Sequence, residues 1–527
     1  MFLVYLNKFK ELVKKNSFVI LIAIFAFYIN KIYANLGVFP IDTFFHFDAG
    51  FNVMKGYLPI RDYWIVSGIV PDLMEAFFFF ILGAGWETHV IHSSLFNAFI
   101  SLATFFLLQK IGLNKFYSFL YSIFFSILAY PISGTPFVDH HAIFFSLLGV
   151  YFFIFSIKTK KNYFWFVTVL FFILSFFSKQ VPAGYIFILI SMLMLFYSYA
   201  IKKIEPIKYY VLSTFVLLLL TYITLLIFKI NFTDFLIQYI FYPPTIGASR
   251  LNDLLNFSPK DFFGEFKFIF IPIFILFYFQ FQRYLNEKKY FKSNEFFIFL
   301  AMLIFSISLV FHQTITLNQN LTYFLSILLF AFLHCHLIKY YKKNEKLIST
   351  MILSFVIFVT LKIHLSFNET RKFHELKNVN LNNYIDASII DNNFKNLKWV
   401  TPRYKDNPQD EINFILESIE TLKKDNRKKM VITHYQFLST ILNKNLFQPS
   451  RSYTLNGLSF PLKKSKYYEE YKLFFNNNIK NNNIQVIYLI DNREIKDRVV
   501  TEYLDESCIK QSLKILRMKI FELNKNC

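Results

Sequence analysis

Cysteine is scarce in this chain. Cys335, Cys508 and Cys527 are the three present among 527 residues, too few for a fold held together by a disulfide framework. Carboxylates are scarce where ion transport would need them: the long apolar segments carry almost none, and no internal repeat is visible, which speaks against a transporter built from paired halves. The N-terminal apolar run lacks a small-residue cleavage site after it, so it reads as an anchor helix. Basic residues are plentiful, with a formal charge of +21, but they lie in short clusters between apolar runs. That is the pattern of topology signals, not of a nucleic-acid-binding face.

What the chain has in abundance is apolar and aromatic surface, 55% hydrophobic and 21% aromatic residues with 72 Phe, above the apolar share of an ordinary globular domain. These residues are gathered into runs of about 16 to 22, long enough to cross a hydrocarbon core as helices, and lipid forces the helical choice because unpaired backbone groups are too costly there. The sequence therefore predicts a polytopic α-helical membrane protein with about eleven transmembrane helices. They lie near 18–36, 88–109, 116–132, 142–157, 163–178, 183–200, 208–228, 266–283, 294–311, 321–338 and 348–365. With the N-terminus in the cytoplasm, the clusters beginning at Lys8, Lys110, Lys158, Lys202, Arg283 and Lys339 fall inside, about twenty Lys and Arg against roughly eight in the opposite loops.

Residues 69–85 are apolar but contain Asp72 and Glu75, leaving only about ten uninterrupted apolar residues, too few to span. Counting them as a span would also turn every later basic cluster outward, so they are expected to form a half-inserted helix in the first external loop. The expected organisation is a transmembrane domain over 1–365, with external loops at 37–87 and 133–141, and a soluble α/β domain over 366–527 on the extracytoplasmic (periplasmic) side of a cell inner, or plasma, membrane. In that domain Met430–Thr433 and Ile484–Ile490 read as strands. Cys508 and Cys527 both fall there, where a disulfide would suit an oxidising compartment.

Polar residues in the external loops are where chemistry is expected. The first loop contains Asp42 and His46, which on one helix would share a face. They would act there as base and orienter or as two ligands of one cation; alternatively Asp42 is an N-cap after Pro40 and His46 faces headgroups. The second loop reads Pro136-Phe137-Val138-Asp139-His140-His141. In an extended turn Asp139 and His141 come together as ligands of a divalent metal; the alternative for Asp139 is helix capping.

These pieces resemble the GT-C superfamily of membrane glycosyltransferases, which includes oligosaccharyltransferases and arabinosyl- and mannosyltransferases. In that superfamily an essential Asp follows the first span, a small-residue and Gly pattern and a half-embedded helix come next, and a second acidic motif sits in the next short external loop. Asp42 matches the first position, and Asp48-Ala49-Gly50 with Gly56-Tyr57-Leu58-Pro59-Ile60-Arg61-Asp62-Tyr63 matches the downstream pattern. Asp139 with His141 matches the second motif in its Asp-x-His form. The likeness covers about the first 200 residues. The chain lacks the Trp-Trp-Asp-Tyr-Gly motif that holds an acceptor sequon, which speaks against transfer to Asn, and His312-Gln313 stand where related enzymes often carry an Arg.

The resemblance implies transfer of a sugar from a polyprenyl-phosphate donor to a hydroxyl of a glycan, lipid or protein acceptor, with inversion. Asp42 and Asp139 would be the catalytic carboxylates, Asp42 as base. Asp42, His46, Asp139 and His141 would be ligands of a divalent cation, Mg or Mn. Lys179, Arg61 and Arg250 are candidates to neutralise the lipid phosphate, although Lys179 also fits a snorkelling interfacial lysine and the two arginines fit ordinary loop residues. An O-antigen polymerase or ligase would share the lipid-linked substrate, but several Arg would be expected in one long loop, and 229–265 has only Arg250. A membrane transporter is the other alternative.

Overall fold

The computed structural model describes the chain apart from residues 1, 248–257, 288–289, 317–318, 455, 492 and 525–526. It is a mostly helical, membrane-embedded protein. Among the described residues nine helices are long and apolar enough to cross a membrane, and two more apolar helices, Tyr163–Ser178 and Phe324–Tyr340, are shorter. Every expected span coincides with one of these eleven helices, but on length and composition nine meet the requirement.

The first helices in chain order are α1 (Phe2–Ala34), α2 (Pro40–Thr43), α3 (Phe47–Met54), α4 (Ile69–Leu82), α5 (Trp86–Ile111), α6 (Lys115–Leu128), α7 (Val138–Thr159), α8 (Tyr163–Ser178), α9 (Gln180–Ile201) and α10 (Glu205–Ile227). Helix α7 is the hub. It packs on α5, α8, α9 and the Asn294–Thr316 helix, and 78% of its apolar window is buried inside the protein. Close approach to α8 requires Gly149, where a Cβ would lie 2.9 Å from the Phe172 ring. Helix α10 is the opposite case, with 22% buried and Leu212, Phe215, Leu218 and Ile227 all more than half exposed. So apolar a helix surface is stable against hydrocarbon, not against water.

Helix α4 is the expected short helix of residues 69–85. Asp72 and Glu75 are wholly buried on it while Phe77, Phe80 and Ile81 are exposed, so its carboxylates turn to the protein and its aromatic face turns outward. The single helix expected over 42–46 does not form. The chain breaks between α2 and α3, with Phe44–His46 outside both, so Asp42 and His46 are not on one helical face.

The C-terminal region is α/β. Strands β1 (Ile385–Asp386) and β2 (Lys398–Trp399) pair antiparallel, and a second sheet has the order β3-β4-β6-β5, where β3 is Lys429–Ile432, β4 Val486–Ile490, β5 Ile509–Ile515 and β6 Met518–Leu523. The β3–β4 pair is parallel and the other two pairings are antiparallel. Parallel neighbours need a crossover, and the Tyr468–Asn481 helix lies in it. Strands β3 and β4 are buried throughout, although β3 stands at one edge of the order, whereas β5 at the other edge is largely exposed. Cys508 and Cys527 are joined by a disulfide. This region shares a core with the first loop: the Phe44 ring packs at 4.8 Å from Phe437, 5.6 Å from Trp86 and 5.9 Å from Trp399.

Candidate functional site

Asp42 sits in the four-residue α2, which Pro40 starts without losing a needed N–H. Among the described residues no hydrogen bond or ion pair reaches its carboxylate. Burial pushes the carboxyl up to about 7, reinforced by the negative charges of Asp139 and Glu375 and opposed by Lys179. The backbone beside it is held on two sides. The Thr43 hydroxyl accepts from the Phe39 N–H at 3.0 Å, and the Thr43 carbonyl lies 3.0 Å from His89 Nε2. His89 is in turn oriented by Glu75, whose Oε1 is 2.7 Å from its Nδ1.

Asp139 lies in the first turn of α7, 2% exposed. Lys179 Nζ donates to both of its oxygens at 2.7 Å, and His312 Nε2 lies 3.0 Å from Oδ1. Lys179 reaches it because α8 ends at Ser178 and the next residue is extended before α9 begins. Asp139 and His141 do not form the expected extended turn. Helix α7 already begins at Val138, and residues two apart on a helix point to different sides. His141 instead places Nε2 3.1 Å from His92 Nε2 and Nδ1 2.9 Å from the Tyr130 hydroxyl.

His46 turns to α4, with Nδ1 2.7 Å from Asp72 Oδ1, and its Nε2 is buried with no partner. Asp72 also accepts from the Tyr63 hydroxyl at 2.9 Å and pairs with Arg451 Nη2 at 2.5 Å. Glu75 is held by His89 and by His92, whose Nδ1 is 2.6 Å away. The expected ligand set is thus divided among other partners: Asp139 engages Lys179 and His312, His141 engages His92 and Tyr130, His46 engages Asp72, and Asp42 bonds to none of them among the described residues, although it feels the charges of Asp139 and Lys179. Among the described residues no three His, Cys, Asp or Glu side chains are grouped to hold a metal ion, so these residues as placed do not fit a Mg or Mn site.

The remaining candidates divide. Lys179 joins Asp139 and acts on Asp42. Arg61 is tied to Asp62 and to the Phe228 and Gly56 carbonyls. Arg250 lies outside the described residues. Asp48, in the Gly-rich pattern, faces the C-terminal region, accepting from the Ser439 and Thr440 N–H groups and the Thr440 hydroxyl at 2.7–2.9 Å. Burial pushes its carboxyl up to about 6 against those donors. Gln313, beside His312, is wholly buried, with neither amide atom partnered among the described residues.

Sequence reasoning missed Tyr63, His89, His92 and Arg451, and took Asp72 and Glu75 only as interruptions of an apolar run. The available signal was the pair of carboxylates itself: ionisable groups at membrane depth require partners. Neither a known family model nor a curated protein matches this chain.

Proposed function

We propose that the protein is a glycosyltransferase that moves a sugar from a polyprenyl-phosphate carrier to a hydroxyl acceptor at the extracytoplasmic face of the plasma membrane. The observation that carries this reading is the pairing of two unlike carboxylates. Asp42 is unpartnered with a carboxyl near 7, and Asp139 is clamped by Lys179 and His312. A general base works best when its pKa lies near the operating pH, and environments that drive two carboxylates apart are how one site separates their roles.

In this reading Asp42 takes the proton of the acceptor hydroxyl as its oxygen attacks the anomeric carbon. The bond from that carbon to the phosphate oxygen breaks, the electron pair leaves with the lipid phosphate, and the single displacement inverts the anomeric centre. Lys179 stabilises the departing phosphate electrostatically, with Asp139 and His312 fixing its position. The resemblance of the Asp42 and Asp139 segments to GT-C enzymes supports the donor class. The bias of Lys and Arg toward one set of loops supports a cytoplasmic N-terminus with these groups on the outer side.

Purified protein in lipid nanodiscs, given a panel of short-chain polyprenyl-phosphate sugars, tests the proposal through sugar release. Turnover lost in both Asp42→Asn and Asp139→Asn, with folding intact, is the expected result. No reaction with any panel member, or variants that react like the wild type, would overturn it.

A further inference from the structure

A cavity of about 460 Å³ opens between the first loop and the C-terminal sheet, lined on one side by Phe39, Pro40 and Ile41 and on the other by Arg403, His434, Asp491 and Glu494. Its floor has a recognisable place in the fold. His434 follows β3 by two residues and Asp491 follows β4 directly, so the cavity lies outside the carboxyl ends of two adjacent parallel strands, the usual position of ligand sites in α/β sheets. Asp491 is 5% exposed and held at φ +62°, a conformation uncommon for a residue other than glycine. Its Oδ2 accepts from Arg403 at 3.3 Å, while Oδ1 is buried without a hydrogen bond among the described residues and lies 3.7 Å from Arg493 Nε. His434 Nε2 is buried and unpartnered as well. Burial draws the His434 imidazole down to about 4, so the ring is neutral.

The chemistry of the lining selects the ligand. Four carboxylates, Glu375, Glu411, Asp491 and Glu494, face one guanidinium, Arg403. Glu411 is satisfied by Trp399, Thr401 and Tyr435, and Arg403 is taken up by Glu494 and by Asp491 Oδ2, which leaves Glu375 and Asp491 Oδ1 to accept from a ligand. An excess of acceptors rejects phosphate and carboxylate groups and suits a molecule rich in O–H or N–H donors, with Phe39 and Tyr435 as apolar walls. The lining reaches the residue before Asp42, Ile41, and includes Glu375, whose charge is felt by the Asp42 carboxyl.

We infer that this cavity is a saccharide subsite that holds the acceptor as a neutral or amine-bearing glycan, with Asp491 Oδ1 and His434 Nε2 taking its hydroxyls. The inference rests on the transferase reading for the word acceptor, and on the cavity alone for the ligand class.

Calorimetric titration of the full chain in nanodiscs with cellobiose, the glucosamine disaccharide and glucose 1-phosphate tests it. The first two bind saturably and the third does not. Asp491→Asn weakens binding by about tenfold or more, as expected for loss of a hydrogen bond to a charged group. Glu494→Gln, at the half-exposed rim, weakens it less and keeps the fold. Absence of binding by both disaccharides, equal binding by Asp491→Asn, or preference for the phosphate overturns the inference. Binding without sugar transfer leaves the subsite standing and sinks the transferase reading. Transfer with an acceptor KM unchanged in Asp491→Asn does the reverse.

Discussion

Arg451, from the C-terminal region, pairs with Asp72 of the short helix α4 at 2.5 Å, with the two side chains 6% and 0% exposed. The same guanidinium donates to the Ser67 carbonyl at 2.8 Å and lies over the Phe45 and Tyr63 rings. This contact joins distant parts of the chain around a buried charge.

Removing one partner of such a pair leaves the other charge uncompensated, which costs on the order of 3–5 kcal/mol. Arg451→Met is therefore expected to be strongly destabilised in detergent unfolding. The double variant Arg451→Met/Asp72→Asn should lose clearly less than the sum of the two single changes. Additive losses would show that the two groups are not coupled.

Asp42 is expected to trade stability for reactivity. Its folded-state carboxyl near 7 lies above the unfolded value of about 3.9. Between those values the folded chain holds a proton the unfolded chain has lost, so raising the pH through this window weakens the fold. Asp42→Asn, which does not titrate, should be more stable than the wild type by a margin that opens above about pH 4 and is complete above about pH 7. Transferase activity should rise along an acidic limb through the same upper value. Unfolding curves of the two proteins between pH 4 and 8 check the sign, and a constant gap would refute it.

Lys179 should matter to folding as well as to turnover. Lys179→Met leaves Asp139, 2% exposed, with His312 as its remaining polar partner among the described residues. A loss of a few kcal/mol is expected, together with loss of sugar release. Asp139→Asn in the Lys179→Met background should restore part of the stability and none of the activity, read by thermal unfolding and by product assay.

Gly50 sets the spacing of α3 and α4. A Cβ there would fall 2.4 Å from Glu75 Cγ and 3.2 Å from the Ala76 backbone nitrogen, and backbone cannot yield cheaply. Gly50→Ala should cost about 1–3 kcal/mol as an overpacking change. It should also disturb the Glu75 contacts to His89 and His92, visible as altered histidine chemical shifts; unchanged stability would mean the helices part freely.

The Cys508–Cys527 bridge closes a loop with a sequence separation of 19. Replacing both cysteines by serine should cost about 3 kcal/mol on loop-entropy grounds, read as earlier proteolysis of the β5–β6 hairpin. Equal protease resistance would show that the hairpin holds without it.

The parts of this architecture that follow from local pattern were readable in the sequence. Apolar runs located the helices to within a few residues, and the charges of Asp72 and Glu75 were enough to separate α4 from a true span. The strands expected at 430–433 and 484–490 stand at Lys429–Ile432 and Val486–Ile490. Pairings were not readable, because they join remote positions: Arg451 with Asp72, Lys179 and His312 with Asp139, Asp48 with Thr440. The two geometric expectations that failed depended on local backbone, an unbroken helix across Phe44–His46 and an extended turn at Asp139–His141. Tertiary packing accounts for the first, since Phe44 enters an aromatic core with Trp399 and Phe437; the second failed because α7 begins one residue earlier than its acidic motif.

The two carboxylates of α4 also impose an order on how the chain is made. Glu75 meets His89 and His92 within the next helix, so its hydrogen-bond partners are present as soon as α5 follows it into the bilayer. Asp72 finds His46 and Tyr63 upstream of it in the chain, but its guanidinium partner Arg451 arrives only after every membrane helix has been synthesised. Among the first parts of the protein to reach the membrane, α4 is therefore completed among the last. A chain interrupted before the C-terminal sheet forms would lack the guanidinium that meets this buried acid.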